Sequence, residues 1–151
     1  MSAALRVRAV RRADLPAVIA LDATVTGLHK ADYWQRIYRR YGMAGQGLRH
    51  FLVAEADRHV LGFVIGEVRD WEFGQPPCGW VFAIDVQPGA RQHGVGTALL
   101  AALRERFERV GVQVMRTLLA RDNTLILSFF RSQGMTAGRL IPLEITIGPA
   151  R

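Results

Sequence analysis

The sequence predicts an α/β fold of the α+β type, a single domain over residues 1–151, and three observations predict it. Short aromatic and β-branched runs bounded by Gly and Pro are interspersed with runs whose apolar residues recur at helical spacing. The composition, 50% hydrophobic and 22% charged over 151 residues, suits one chain burying one core. Finally, residues 86–100 (VQPGARQHGVGTALL) run from a strand end through a glycine-punctuated turn into an apolar-faced helix, the corner of a layered fold.

Taken in order, residues 5–10 (LRVRAV) alternate apolar and basic side chains and predict a half-exposed strand. Asp14 and Pro16 open a helix whose stripe is Leu15, Val18, Ile19 and Leu21, closed by Gly27. A second helix over 31–41 carries Tyr33, Trp34, Ile37, Tyr38 and Tyr41, rings expected to pack on a sheet, and a glycine-rich connection follows at 42–47. Residues 51–56 and 60–68 predict a hairpin about Asp57, Arg58 and His59, and residues 70–79 (DWEFGQPPCG) a surface loop. The strand 80–86 (WVFAIDV) leads into the corner. Beyond it Leu99, Leu100, Leu103 and Phe107 mark the apolar face of a helix that Gly111 ends. A strand at 112–120, a short apolar helix capped by Asp122 or Asn123 and ended by Gly134, and an alternating tail strand at 140–147 complete the order.

The net charge of +7 invites a polyanion partner, yet its distribution argues against nucleic acid. Nineteen of the twenty basic residues are Arg, scattered along the chain, and only Arg36, Arg39 and Arg40 cluster. No apolar run is long enough to span a membrane and residues 1–12 lack the apolar segment of a secretory signal, so a cytoplasmic protein is expected. Cys78 is the single cysteine, which leaves no intrachain disulfide and no thiolate metal cluster; no metal is expected.

Gly94 and Gly96 at the start of a helix suit a phosphate, because missing side chains let a ligand approach backbone N–H groups at the positive end of the helix dipole. A Walker loop would need Lys and Ser/Thr after the last Gly, where Thr97 and Ala98 stand. A dinucleotide fingerprint would need a parallel β-α-β unit, and here the turn follows an antiparallel meander.

The motif resembles instead that of the GNAT acetyltransferase superfamily: Val86-x-Pro88, then Arg91-Gln92-His93-Gly94-Val95-Gly96 opening the helix, followed downstream by Asn123, the pair Phe129-Phe130 and Gly134-Met135. Two linked motifs in this order extend the resemblance over nearly the whole chain. It implies a GNAT fold, a mixed, mostly antiparallel sheet of six or seven strands flanked by four helices, splayed between the strands at 80–86 and 112–120. It implies acetyl-CoA (coenzyme A) as co-substrate, an amine acceptor from a small molecule or peptide, and an N-acetyltransferase activity. Ile84, Asp85 and Val86 would pair with the pantetheine arm and hold the acetyl carbonyl. Gln92, His93, Gly94, Val95, Gly96 and Thr97 would wrap the pyrophosphate, with Arg91 adding charge, while Asn123 and Phe130 would line the cofactor arm. The chain departs from the pattern at Phe130, where a thiolate-protonating Tyr is frequent, and at Leu118, where some relatives place a Glu. A non-catalytic acyl-CoA-binding module is the alternative these departures suggest.

The general base is expected at Glu67, an acid among Phe63, Ile65 and Val68 near the end of its strand, with Asp85 as the alternative and Asp70 and Glu72 behind them. The resemblance places the acceptor side at 29–47, 70–79 and 135–147, as an open cleft. Arg36, Arg39 and Arg40 would favour acidic partners there, with Trp71 and Phe73 at the mouth. A homodimer is expected through pairing of the terminal edge strand.

Overall fold

The computed structural model describes residues 4–43 and 47–149, which divide into two compact units, Met1–Leu118 and Leu119–Arg151. In the first, a five-stranded sheet runs in sequence order: β1 (Arg6–Ala9), β2 (Arg49–Ala56), β3 (His59–Arg69), β4 (Cys78–Val86) and β5 (Met115–Thr117). The first four strands are mutually antiparallel and β5 is parallel to β4. With α1 (Leu15–Thr26), α2 (Ala31–Ile37) and α3 (Val95–Arg109) in this unit and α4 (Thr124–Ser132) in the second, the mixed sheet and four helices are as expected.

Alternation along β2 and β3 sends side chains to opposite faces. Phe51, Val53, Phe63 and Ile65 meet Val18 and Leu21 of α1 and Trp34 of α2 in one buried cluster, in which the Trp34 ring stands edge-on to Phe63 at 5.1 Å. The opposite face receives α3, whose Leu99, Leu103 and Phe107 are fully buried. Burying each such side chain contributes roughly 2 kcal/mol. Gly79 is needed there because a Cβ would lie 2.8 Å from Cγ of Phe107. Gly111, with φ +82°, ends α3 by a left-handed turn.

Three boundaries depart from the expected ones. The helix at 31–41 is α2 followed by a wider π-helical turn over Tyr38–Gly42, where a Cβ on Gly42 would strike the Tyr38 ring. The glycine-rich connection after it falls partly on 44–46, outside the described residues. The strand at 112–120 shortens to Met115–Thr117, because β4 offers it a parallel partner only at Gly79, Trp80 and Val81. The tail strand at 140–147 does not form, so the described sheet has five strands in place of six or seven. Ile141, Leu143, Ile145 and Ile147 are all more than three-quarters exposed. Apolar alternation specifies a strand only where an edge accepts it, and Pro142 withholds a ladder donor. No helix among the described residues is long and apolar enough to cross a membrane.

Candidate functional site

The site is organised by β4. Along β3 the register slips: Ile65 pairs with Ala83 while Gly66 pairs with Val81, which makes Phe82 the extra residue of a β-bulge. On the other side of β4, pairing with β5 ends at Val81, whose carbonyl accepts a hydrogen bond from Thr117 Oγ1 at 2.9 Å. From Phe82 to Val86 no described strand lies on that side, so the edge presents backbone groups that a ligand must satisfy. The expected splay is therefore present, and Ile84, Asp85 and Val86 lie along it.

The corner follows directly. Arg91 reaches back to donate Nε–H to the Val86 carbonyl at 3.3 Å, pinning the turn to the end of β4. Gln92 and Gly94 take left-handed conformations with φ +67° and +79°, and helical hydrogen bonding begins with Ala98 N–H to the Gly94 carbonyl. The first-turn amides of Val95 and Gly96 thus point out of the positive end of a fifteen-residue helix. Gln92, His93 and Thr97 are exposed beside them and Val95 is buried.

Of the two expected bases, the structure treats Asp85 and Glu67 differently. Asp85 is half-buried, opposite Phe63 in the ladder and so on the face covered by α1 and α2. Burial, and secondly the charge of Asp22 on α1, push its carboxyl up to about 6 against the opposing charges of Arg91 and Lys30. Asp22 is itself buried, accepting the Trp34 indole N–H at 2.9 Å and pairing with Lys30 at 3.2 Å. Glu67 is buried too, but its two carboxylate oxygens face Arg49 at 3.8 Å and Arg69 at 3.4 Å. Asp22 escaped the sequence reading, although a lone acid in the apolar run LPAVIALDATVT was a visible signal of a buried polar contact.

In the second unit Asn123 caps α4, its Oδ1 accepting Ile126 N–H at 3.2 Å, as expected. Phe130 is buried and meets Phe129 edge-on at 5.3 Å; Leu118, the last residue of the first unit, is exposed. Among the described residues no group of three or more His, Cys, Asp or Glu is arranged to hold a metal ion. A groove of about 410 Å³ bordered by Tyr41, Arg49, His50 and Arg106 touches no residue of β4.

Residues 16–135 match the Acetyltransferase (GNAT) family. The chain belongs to that family. The GNAT domain is 36% identical over 87 residues to a mycothiol acetyltransferase of Sanguibacter keddieii, a match covering 57% of this chain and 28% of that protein. It is 33% identical over 87 residues to an L-2,4-diaminobutyric acid acetyltransferase of Nocardia farcinica, covering 58% and 44%. The matches thus span less than half the length of these relatives. Among solved structures, the aminoglycoside N-acetyltransferase AAC(6')-Iy in complex with CoA superimposes with a TM-score of 0.83 at 20% identity, over 97% of each chain. A transcriptional regulator from Bacillus halodurans C-125 superimposes with a TM-score of 0.80 at 15% identity, over 95% of this chain and all of the other. At these identities the GNAT fold is what the structures share.

Proposed function

We propose that this GNAT domain is a cytoplasmic N-acetyltransferase that moves the acetyl group of acetyl-CoA to a primary amine of a small molecule. The observation that carries the reading is the continuity of the open β4 edge with the α3 N-terminus, which puts an elongated acceptor of backbone hydrogen bonds beside an anion site, with Asp85 on the same strand. The residues fit the co-substrate: Ile84, Asp85 and Val86 would pair with its arm, and the turn from Gln92 through Thr97 would hold the pyrophosphate with Arg91 adding charge. His93 stands exposed at the rim of that turn. For Asn123 and Phe130 a role toward the arm rests on the family resemblance alone. When bound, the thioester supplies an acyl group activated toward amines.

Asp85 then does the chain's proton work. It takes one proton from the ammonium form of the acceptor; the nitrogen attacks the acetyl carbon, the C–N bond forms and the C–S bond breaks. The nitrogen's second proton leaves for the thiolate sulfur, so the products are an amide and a thiol. A carboxylate titrating near 6 is ionised at neutral pH yet more basic than an ordinary aspartate. Glu67 keeps a supporting place as the buried anion between two arginines.

The relatives named for mycothiol and L-2,4-diaminobutyric acid support a small amine as acceptor. Thiol release from acetyl-CoA across a panel of amines, with mass spectrometry of the products, tests the reading. Turnover of at least one amine is expected. Binding of acetyl-CoA with no turnover of any amine would favour the acyl-CoA-binding module, the reading that Phe130, which lacks a hydroxyl to protonate sulfur, keeps open. Gly94→Ala should also weaken acetyl-CoA binding severalfold and cost about 1 kcal/mol in stability, since an alanine at φ +79° is strained although its Cβ meets nothing within 4 Å. Calorimetric titration with coenzyme A and a thermal melt check both; unchanged affinity would remove the turn from the binding site. The terminal alternation at 140–147 supports self-association as well, which light scattering would read as twice the chain mass.

A further inference from the structure

Resting on the acetyl-transfer reading, we propose that the acceptor carries a carboxylate as well as its amine, and that Arg69 receives that carboxylate. Arg69 ends β3 with its guanidinium over two β4 rings, 5.8 Å from the centre of Trp80 and 5.2 Å from that of Phe82. Stacking of this kind fixes a planar cation in place while leaving its edge N–H donors available. Those donors are underused. The Arg69 guanidinium lies 3.4 Å from Glu67 and 3.6 Å from Glu72, both beyond the 2.7–2.9 Å or so of a charge-assisted hydrogen bond, and it makes no side-chain hydrogen bond among the described residues.

The surroundings favour an anion. Arg49 shares Glu67, and Arg40, stacked on Tyr41, feels the same carboxylate. Three arginines thus face two acids, Glu67 and Glu72, an excess of one positive charge. Beneath them the Trp80 indole N–H is buried with no partner among the described residues, a donor held next to the cation. Phe82, the bulge residue, is 43% exposed and edge-on to Tyr41 at 5.7 Å, a large apolar surface left open on the floor of the sheet.

Both poles share one face. Tyr41 and Ala83 pack on the cluster beneath α1 and α2 that also holds Phe63, the ladder partner of Asp85. Phe82 and Asp85 are three residues apart, about 10 Å along the strand. An amine directed to Asp85 and a carboxylate directed to Arg69 are therefore the two ends of one small, extended amino acid. A polycation presented to the same floor would meet the arginines.

The test compares three probes under saturating acetyl-CoA: 5-aminopentanoate, pentylamine of the same chain length, and spermidine. The wild-type chain should use 5-aminopentanoate with kcat/KM at least about tenfold above pentylamine, as expected for one charge-assisted pair. Arg69→Gln should bring that ratio close to one by raising KM for 5-aminopentanoate, and Arg69→Lys should restore part of it. Equal use of 5-aminopentanoate and pentylamine by the wild type, or a preference for spermidine, overturns this inference while leaving acetyl transfer intact. Failure to acetylate any probe or any other amine overturns acetyl transfer itself. The wild-type comparison stands even if Arg69→Gln fails to fold.

Discussion

Asp85→Asn is expected to lower kcat/KM for acetyl transfer by about 10²–10⁴-fold while stabilising the fold, two effects with one origin. The carboxyl is raised to about 6, by burial first and by the Asp22 charge second, so the folded state binds its proton more tightly than the unfolded chain, where the ordinary value is 3.8. The sign follows: the stability linked to Asp85 is fully present below about pH 3.8 and is lost as pH rises through about 6. Asparagine never ionises, so the variant's gain in stability should grow from about pH 3.8 and be complete above about 6, of the order of 1 kcal/mol once the group's partial exposure is discounted. In the wild type, kcat/KM should rise with pH through an apparent value near 6, and this rise should vanish in the variant. Asp22→Asn gives an independent check, because removing that charge should move the rise to lower pH while Trp34 keeps an acceptor. A flat pH profile in the wild type, or near-normal turnover by Asp85→Asn, would return the base to Glu67 or to solvent.

The two candidate acids show where the sequence was legible and where it was not. Glu67 looked the better base because apolar neighbours along its own strand suggested desolvation. Arg69 stands two residues on along the same strand, but Arg49 lies across the ladder from it on β2, and that pairing depends on register. Asp85 drew less attention since its partner in raising the pKa, Asp22, is sixty-three positions away on α1. Local periodicity reports which face a side chain takes; it does not report which charges the opposing elements bring to that face. The glycine corner was readable for the opposite reason. Strand end, left-handed glycine, helix start and Asn123 cap are all set by contacts within a few residues. The tail strand did not form because its alternation from Ile141 to Ile147 is real, but a strand needs a partner elsewhere in the chain.

The bulge at Phe82 joins these observations. By inserting one residue into β4 where pairing with β5 stops, it opens the edge along which Ile84 to Val86 lie and turns an aromatic toward Arg69. On the proposed reading, the stretch of the strand offered to the coenzyme and the stretch offered to the acceptor lie on either side of this one irregularity. The entrance of α1, the helix that carries Asp22, is tied to the opposite edge of the sheet by a second polar cluster.

Arg8→Met is expected to destabilise the fold by about 3 kcal/mol at pH 7, and the loss should shrink in acid. Arg8 forks onto Asp14 at 2.8 and 2.9 Å and reaches Glu55 at 3.0 Å, which ties β1 to both β2 and the entrance of α1. Asp14 also accepts the Arg11 backbone N–H at 2.7 Å. Burial alone would raise the Asp14 carboxyl, but the hydrogen bonds from Arg8 and from the Arg11 backbone outweigh it and hold it below its usual range. Methionine keeps the apolar stem and removes the charge, leaving a side chain only 9% exposed with no counterion. Because the native carboxyl is lowered, the stability it contributes is fully present above its unfolded value of 3.8 and lost as pH falls through the folded one. Urea unfolding of both proteins at pH 7 and again below pH 3 measures the difference. A gap under about 1 kcal/mol at pH 7, or one that persists unchanged in acid, would mean that packing and not this ion pair holds α1 in place. If the pair does hold α1, Arg8→Met should also shift the pH profile of kcat/KM, because a loosened α1 moves the Asp22 charge away from Asp85.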